Sequence, residues 1–266
     1  MKQRVIITGG SRGLGLALAK AFVEKDVECL LIAKNQQRLE IVQSQLGSKV
    51  AILACDLAQA DQLVLHAQQI QQFEANILIN NAAILGAVMP SWQISSQSWQ
   101  SVMQVNFFAA VELSRLVLPT MLEHKWGRII NLSGGGATNC RPLYNAYACS
   151  KTALNKYTET LSGELPEGIT INSIAPGMMA TDMLMECYQL AKQQGSQVEL
   201  EKIQAIHSKP PIFPAVDLCI ALCQPATEHV SGKLISAEWD NWSALIDTPH
   251  LCKEELYTMR RVTKMQ

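Results

Sequence analysis

The residues best equipped for chemistry lie in "NLSGGGATNCRPLYNAYACSK", residues 131–151. A phenol, Tyr147, precedes an amine, Lys151, by four positions, so on a helix the two side chains share one face. A free tyrosine has a pKa of about 10. A neighbouring ammonium favours the phenolate and lowers that value. Such a pair can give a proton to a developing alkoxide, or take one from an alcohol. Ser133, ahead of Gly134, Gly135 and Gly136, offers a hydroxyl that could contact the same oxygen. By itself Y-x-x-x-K is a weak signal, because such pairs are common on exposed helices. Tyr144 has Ala148, not a lysine, four residues on.

A second chemical feature is "TGGSRGLG", which follows an apolar run and opens a helical one. Its candidate cofactor-binding residues are Gly9, Ser11, Arg12, Gly13, Leu14 and Gly15, with Gly9, Gly13 and Gly15 spaced G-x-x-x-G-x-G. Glycine permits a tight turn and a close backbone approach to a pyrophosphate. The helix N-terminus then presents free N–H groups and a positive dipole end to the phosphates. The plainer reading is an ordinary glycine-rich turn. The next strand ends Ala33-Lys34-Asn35, with no carboxylate to take a ribose 2′-hydroxyl. Lys34 and Arg12 suit a 2′-phosphate, so NADP(H) is favoured over NAD(H). Otherwise the two are solvated surface charges.

Positioning these groups requires a frame, and the chain alternates between two periods. Short β-branched runs at 4–8, 27–33, 49–55, 76–80, 127–133, 168–177 and 233–237 read as strands. Helical spacing occupies 14–25, 36–46, 59–73, 98–124, 144–165 and 215–223. Strands alternating with helices imply right-handed crossovers and a doubly wound parallel sheet, an α/β fold of the Rossmann-like kind. The expectation is a single domain over 1–242, with a polar, Gln-rich, mobile insertion at about 182–210. The tail 243–266 has no evident place in the sheet, and Trp239 and Trp242 are read as hydrophobic anchors.

Composition narrows the function classes. The 266 residues carry a net charge of −1, which gives no electrostatic case for nucleic acid or an anionic membrane. Hydrophobic residues make up 48% and charged residues 17%, as in a chain with a full core. No signal-peptide pattern opens the sequence and no apolar run reads as membrane-spanning, so the expected location is cytoplasmic. The eight cysteines and five histidines are scattered without zinc spacing, so no metal is expected.

With both motifs placed, the chain resembles the short-chain dehydrogenase/reductase family over about residues 4–237. The resemblance is carried by "TGGSRGLG", "CDL" (55–57), "NNAA" (80–83), "VN" (105–106), "NLSGG" (131–135), "YACSK" (147–151) and "PGMMATDM" (176–183), in that order. It implies that Asp56 and the backbone amide of Leu57 hold the adenine. Asn80 and Ala82 would line the cofactor, Asn106 would be the catalytic asparagine, and Pro176, Gly177 and Thr181 would hold the nicotinamide. Tyr147 would be the acid/base and Lys151 its partner, interconverting a small carbonyl compound and an alcohol by hydride transfer. Members are commonly homo-oligomers, so a dimer or tetramer is expected.

One departure concerns the substrate-contacting serine, which in the family usually lies thirteen residues before the tyrosine. Here that position is Gly134, and Ser133 lies fourteen before. Three readings stay open: Ser133 takes over, another donor such as Asn139 or a glycine N–H substitutes, or the donor is absent. Candidate pocket residues are Ile84–Gly86, Asn139, Arg141, Met178, Met179 and Met183. Two further functions compete: a cofactor-binding regulatory protein without turnover, and a nucleotide-sugar-modifying enzyme of the longer family branch.

Overall fold

A computed structural model describes residues 2–177, 179, 182–193, 200–201, 213–249 and 256–260. Its centre is one parallel sheet of seven strands: β1 (Arg4–Thr8), β2 (Glu28–Ala33), β3 (Val50–Ala54), β4 (Ile77–Asn80), β5 (Gly127–Leu132), β6 (Ile169–Ala175) and β7 (Leu234–Ser236). Their order is β3-β2-β1-β4-β5-β6-β7, and every neighbouring pair is parallel. The central strands are covered on both faces, so they read as continuous apolar runs and not as alternation.

Helices α1 (Gly13–Glu24), α2 (Gln36–Leu46) and Phe213–Leu222 cover one face through Leu18, Leu39, Leu218 and their neighbours. The other face is covered by the short helices α3 (Ala60–Leu65) and α4 (Ala67–Gln72) with the long helix α5–α6 (Ser96–Met103, Ala109–His124) and α7 (Asn145–Ser162). The sequence predicts one helix over 59–73; it is two, separated at His66, whose φ −98°, ψ 5° interrupts the run. The long helix carries a π-helical turn at Gln104–Phe108, where the spacing of apolar residues gives no sign of one.

Contrary to the sequence expectation, Ser96–His124 is long and apolar enough to cross a bilayer by length and composition. In this fold its Val102, Ala109, Leu113, Val117 and Met121 are buried in the core, which accounts for the apolar stretch. Part of the Gln-rich segment, Asp182–Gln193, is a regular helix, α8; much of the rest of 182–210 lies outside the described residues. The tail adds a helix at Trp242–Asp247. Trp242 packs on the core, whereas Trp239 is exposed and anchors nothing by burial.

Strand order reverses where β4 joins the far side of β1. The crevice outside the carboxyl ends of the strands opens there. It gathers the loops after β1, β4, β5 and β6, which carry the residues singled out above.

Candidate active site

The loop after β1 needs its glycines. Gly9 and Gly13 have φ +67° and +54°, left-handed values that side chains disfavour. A Cβ on Gly15 would lie 2.7 Å from Asn81 Nδ2 and 2.8 Å from the carbonyl carbon of Gly9. The turn after β4 is fastened to the same loop. Thr8 Oγ1 accepts from the N–H groups of Asn81 (3.0 Å) and Ala82 (2.9 Å), and Asn81 Nδ2 donates to Thr8 O at 2.8 Å. Leu14 is buried in the core while Ser11 is half-buried beside it. The side-chain-free cradle at the start of α1 fits a dinucleotide pyrophosphate, held by the backbone N–H groups of the loop.

Both cations read as phosphate ligands already have carboxylate partners. Arg12 pairs with Asp182, the first residue of α8. Lys34 Nζ lies 2.8 Å from Asp56 Oδ2, and that contact holds the Asp56 carboxyl below its usual range. Asp56 Oδ1 also accepts from Ala58 N at 3.1 Å, fixing the carboxylate. Leu57 is buried in the core, leaving only its backbone for any ligand.

Asn80 and Asn106 work inside the frame. Asn80 Nδ2 donates to Asn131 Oδ1 at 2.8 Å, and Asn131 Nδ2 to Thr158 Oγ1 at 2.8 Å, tying β4, β5 and α7 together. Asn106, inside the π turn, clamps Ile84. Its Oδ1 accepts from Ile84 N at 2.9 Å and its Nδ2 donates to Ile84 O at 3.0 Å and to Ser150 Oγ at 3.0 Å. Ser150 Oγ then donates to Tyr147 O at 2.7 Å. Thr8, Asn81, Ser150 and Thr158 were not singled out from sequence. The threonine closing β1 and the doubled asparagine closing β4 are signals for Thr8 and Asn81; Ser150 and Thr158, within α7, have none.

Tyr147 and Lys151 share the inner face of α7 and are almost sealed, at 6% and 1% exposure. Lys151 Nζ lies 5.9 Å from the Tyr147 ring centroid and donates to Leu132 O at 2.6 Å. Burial pushes the phenol up to about 12 and the ammonium down to about 7. The sequence argument has the ammonium lowering the phenol. Burial wins, because both charged forms are taken out of water. The cation that does pull the phenol down is Arg141, whose guanidinium lies 3.7 Å from the ring centroid of Tyr144.

The serine question has a geometric side. A side chain at 134 would project onto the phenol: a Cβ there would lie 2.9 Å from Tyr147 Cζ, 3.1 Å from Cε1 and closer still to Oη. Ser133 is buried, its N–H donates to Ile174 O at 2.8 Å, and its Oγ has no hydrogen-bond partner among the described residues. Asn139 is exposed.

Helix α8 roofs the phenol. Leu184 and Cys187 pack with Leu85, Val88, Tyr144 and Tyr147, with Met183 at their edge. A cleft of roughly 670 Å³ opens between Ile84–Gly86 and the Met185 side of α8. Met179 is partly buried against the core. Pro176 and Gly177 follow β6 as expected, with Gly177 at φ +80°. Thr181 and Met178 lie outside the described residues.

The family model described as short chain dehydrogenase matches residues 3–191. A short chain dehydrogenase of Pseudocercospora fijiensis is 32% identical over 252 residues, 88% of this chain and 80% of that protein. A benzil reductase ((S)-benzoin forming) of Saccharomyces cerevisiae is 30% identical over 251 residues, 88% of this chain and 95% of that one. Among solved structures, an actinorhodin polyketide ketoreductase crystallised with NADPH superposes with a TM-score of 0.81 at 21% identity, covering 88% of this chain and 95% of that chain, a likeness of fold.

Proposed function

We propose, for a chain that belongs to the short-chain dehydrogenase/reductase family and is thereby an oxidoreductase, an NADP(H)-dependent interconversion of a small ketone or aldehyde with its alcohol. The observation that carries this reading is one sealed phenol and one sealed ammonium on a single helix face, beside a glycine cradle at the sheet's switch point. The nicotinamide, when bound, supplies or accepts the hydride.

The protein's own residues do the rest. Tyr147 Oη gives its proton to the carbonyl oxygen as that atom becomes an alkoxide, and takes it back in oxidation. Lys151, held by Leu132 O, stands next to the phenol and supports the phenolate that results. Asn106 and Ser150 hold the Ile84 turn and the Tyr147 backbone in fixed relation. Burial under α8 excludes water from the proton transfer. Asp56 and Leu57 take the adenine side. Gly9, Ser11, Gly13, Leu14 and Gly15 take the pyrophosphate through their backbone. Asn80 and Ala82 with Pro176, Gly177 and Thr181 flank the nicotinamide.

NADP(H) is favoured over NAD(H) because Ala33-Lys34-Asn35 lacks a carboxylate, and Lys34 and Arg12 stand ready for a phosphate once Asp56 and Asp182 yield them. The reductase and ketoreductase among the similar proteins support the carbonyl chemistry, and the ketoreductase's NADPH supports the cofactor. The described cysteines are free thiols, which fits a reducing cytoplasm. Phe108 and Leu122, exposed on the long helix, suit a homodimer or homotetramer.

The test is NADPH oxidation against a panel of aldehydes and ketones, repeated with NADH. Turnover with NADPH preferred is expected. Dinucleotide binding without turnover of any carbonyl compound would instead support a silent cofactor-binding role.

A further inference from the structure

We propose that Gly134 is a positioning residue for the acid–base step: the missing side chain is the seat of the Tyr147 hydroxyl, and this site works with the phenol alone where a serine–tyrosine pair would otherwise be expected. The proposal rests on the reading of Tyr147 given above.

Three observations meet here. First, the space that a residue-134 side chain would fill is already filled. Its Cβ would lie 2.9 Å from Tyr147 Cζ, 3.1 Å from Cε1, and nearer still to Oη. Contacts below 3 Å to an aromatic ring are not met by small adjustments, since the core is close-packed. Second, the ring is buried: Tyr147 is 6% exposed and belongs to one packed cluster with Tyr144, Leu85, Val88, Leu184 and Cys187, and Ser150 Oγ donates to its backbone carbonyl at 2.7 Å. Third, Ser133 is not paired with the phenol. Its N–H donates to Ile174 O, and its Oγ is buried and makes no hydrogen bond to Tyr147 or to any other described residue.

This inverts the simple expectation from the family pattern. Gly134→Ser would seem to restore a lost hydroxyl donor. In this geometry it evicts the phenol. Both Gly134→Ser and Gly134→Ala therefore lower kcat, by about 100-fold or more, as expected for displacing a reacting group by about 1 Å. The dinucleotide Kd stays within about twofold, because the cradle of Gly9 and Gly15 lies on another strand's loop.

The experiment measures kcat, KM and dinucleotide Kd for Gly134→Ala and Gly134→Ser, and Tm for Gly134→Ala with and without Tyr147→Phe. A kcat loss at unchanged Kd, with a Tm loss that shrinks when the phenol oxygen is removed, is expected. Failure of Gly134→Ala to fold except alongside Tyr147→Phe supports the proposal equally. Wild-type kcat in Gly134→Ser, or Tm losses that simply add, overturns it, as does misfolding in both backgrounds. If the wild-type protein turns over no carbonyl compound, the reaction reading fails by itself, and the Tm coupling still decides whether Gly134 is the seat of the hydroxyl.

Discussion

Tyr147 and Lys151 are buried groups before they are reactive ones, and burial moves their proton affinities in opposite directions: the phenol to about 12, the ammonium to about 7. Lys151 carries a testable consequence for stability. Its folded-state pKa is below the ordinary 10.5. Between about pH 7 and 10.5 the unfolded chain holds more protons at this position, so stability rises with pH there, and below pH 7 the full cost of burying the charge is present. Lys151→Met is therefore more stable than the wild type, by on the order of a few kcal/mol below pH 7, and the gap closes towards pH 10.5. Tm measured across this range checks it; a gap independent of pH would show that the ammonium's burial is not what costs stability. The Y-x-x-x-K pair was legible because its spacing is local. The direction of the phenol's shift was not, because it depends on α8, Leu85 and Val88, which approach from elsewhere in the chain. The steric role of Gly134 was hidden for the same reason: the sequence reveals a missing hydroxyl, and only the fold reveals what fills its space.

Helix α8 links the two halves of the site. Its first residue, Asp182, pairs with Arg12 of the glycine loop, and its Leu184 and Cys187 cover Tyr147. A 2′-phosphate must share or displace Asp182 to reach Arg12. Asp182→Asn should thus tighten NADP(H) binding roughly twofold to fivefold, the range set by exposed ion pairs, and leave NAD(H) binding unchanged. Fluorescence titration with both cofactors tests this; equal effects on the two would detach Arg12 from the 2′-phosphate. The clamp made by Asn106 is the second element-level device. Asn106→Ala strands the N–H and C=O of Ile84, and the loss of satisfied buried groups costs about 1–3 kcal/mol. A Tm fall accompanied by a lower kcat is expected, with calorimetry and steady-state rates as the readout. Strands and the larger helices were legible from their periods. The break at His66 and the π turn around Asn106 were not, since tertiary contacts set them against the local pattern. Helix α8 was legible in principle: Met183, Leu184, Cys187, Tyr188 and Leu190 recur at helical spacing and pack in the Tyr147 cluster, a stripe masked by the glutamines and other polar residues between and after them.

The parallel sheet as a whole explains why residues from 9 to 177 meet: every functional loop leaves the same edge, and the reversal between β1 and β4 opens a crevice for them. That much follows from alternating strands and helices and the handedness of crossovers. The tail was illegible, because its few apolar anchors, Leu245, Ile246 and Tyr257, are too widely spaced to show a period and the rest of its hold is backbone bonds and ions. Leu234 N donates to Tyr257 O at 2.7 Å, Lys233 Nζ donates to Leu256 O at 3.1 Å, and Arg260 pairs with Glu159 at 2.5 Å, so residues 256–260 lie along the open side of β7. Truncation after Asp247 uncovers a sheet edge, and such edges recruit other chains. A lower Tm with self-association in size-exclusion chromatography is expected; an unchanged elution profile and Tm would make the tail an ornament of the fold. The central claim is that the buried Tyr147 hydroxyl is the proton donor for hydride-driven carbonyl reduction. It is tested most directly by single-turnover NADPH oxidation in Tyr147→Phe, with a reducible ketone and with dinucleotide binding measured in parallel. The rate should fall by about 10²–10⁴-fold while NADPH still binds; a wild-type rate in the variant would contradict the account.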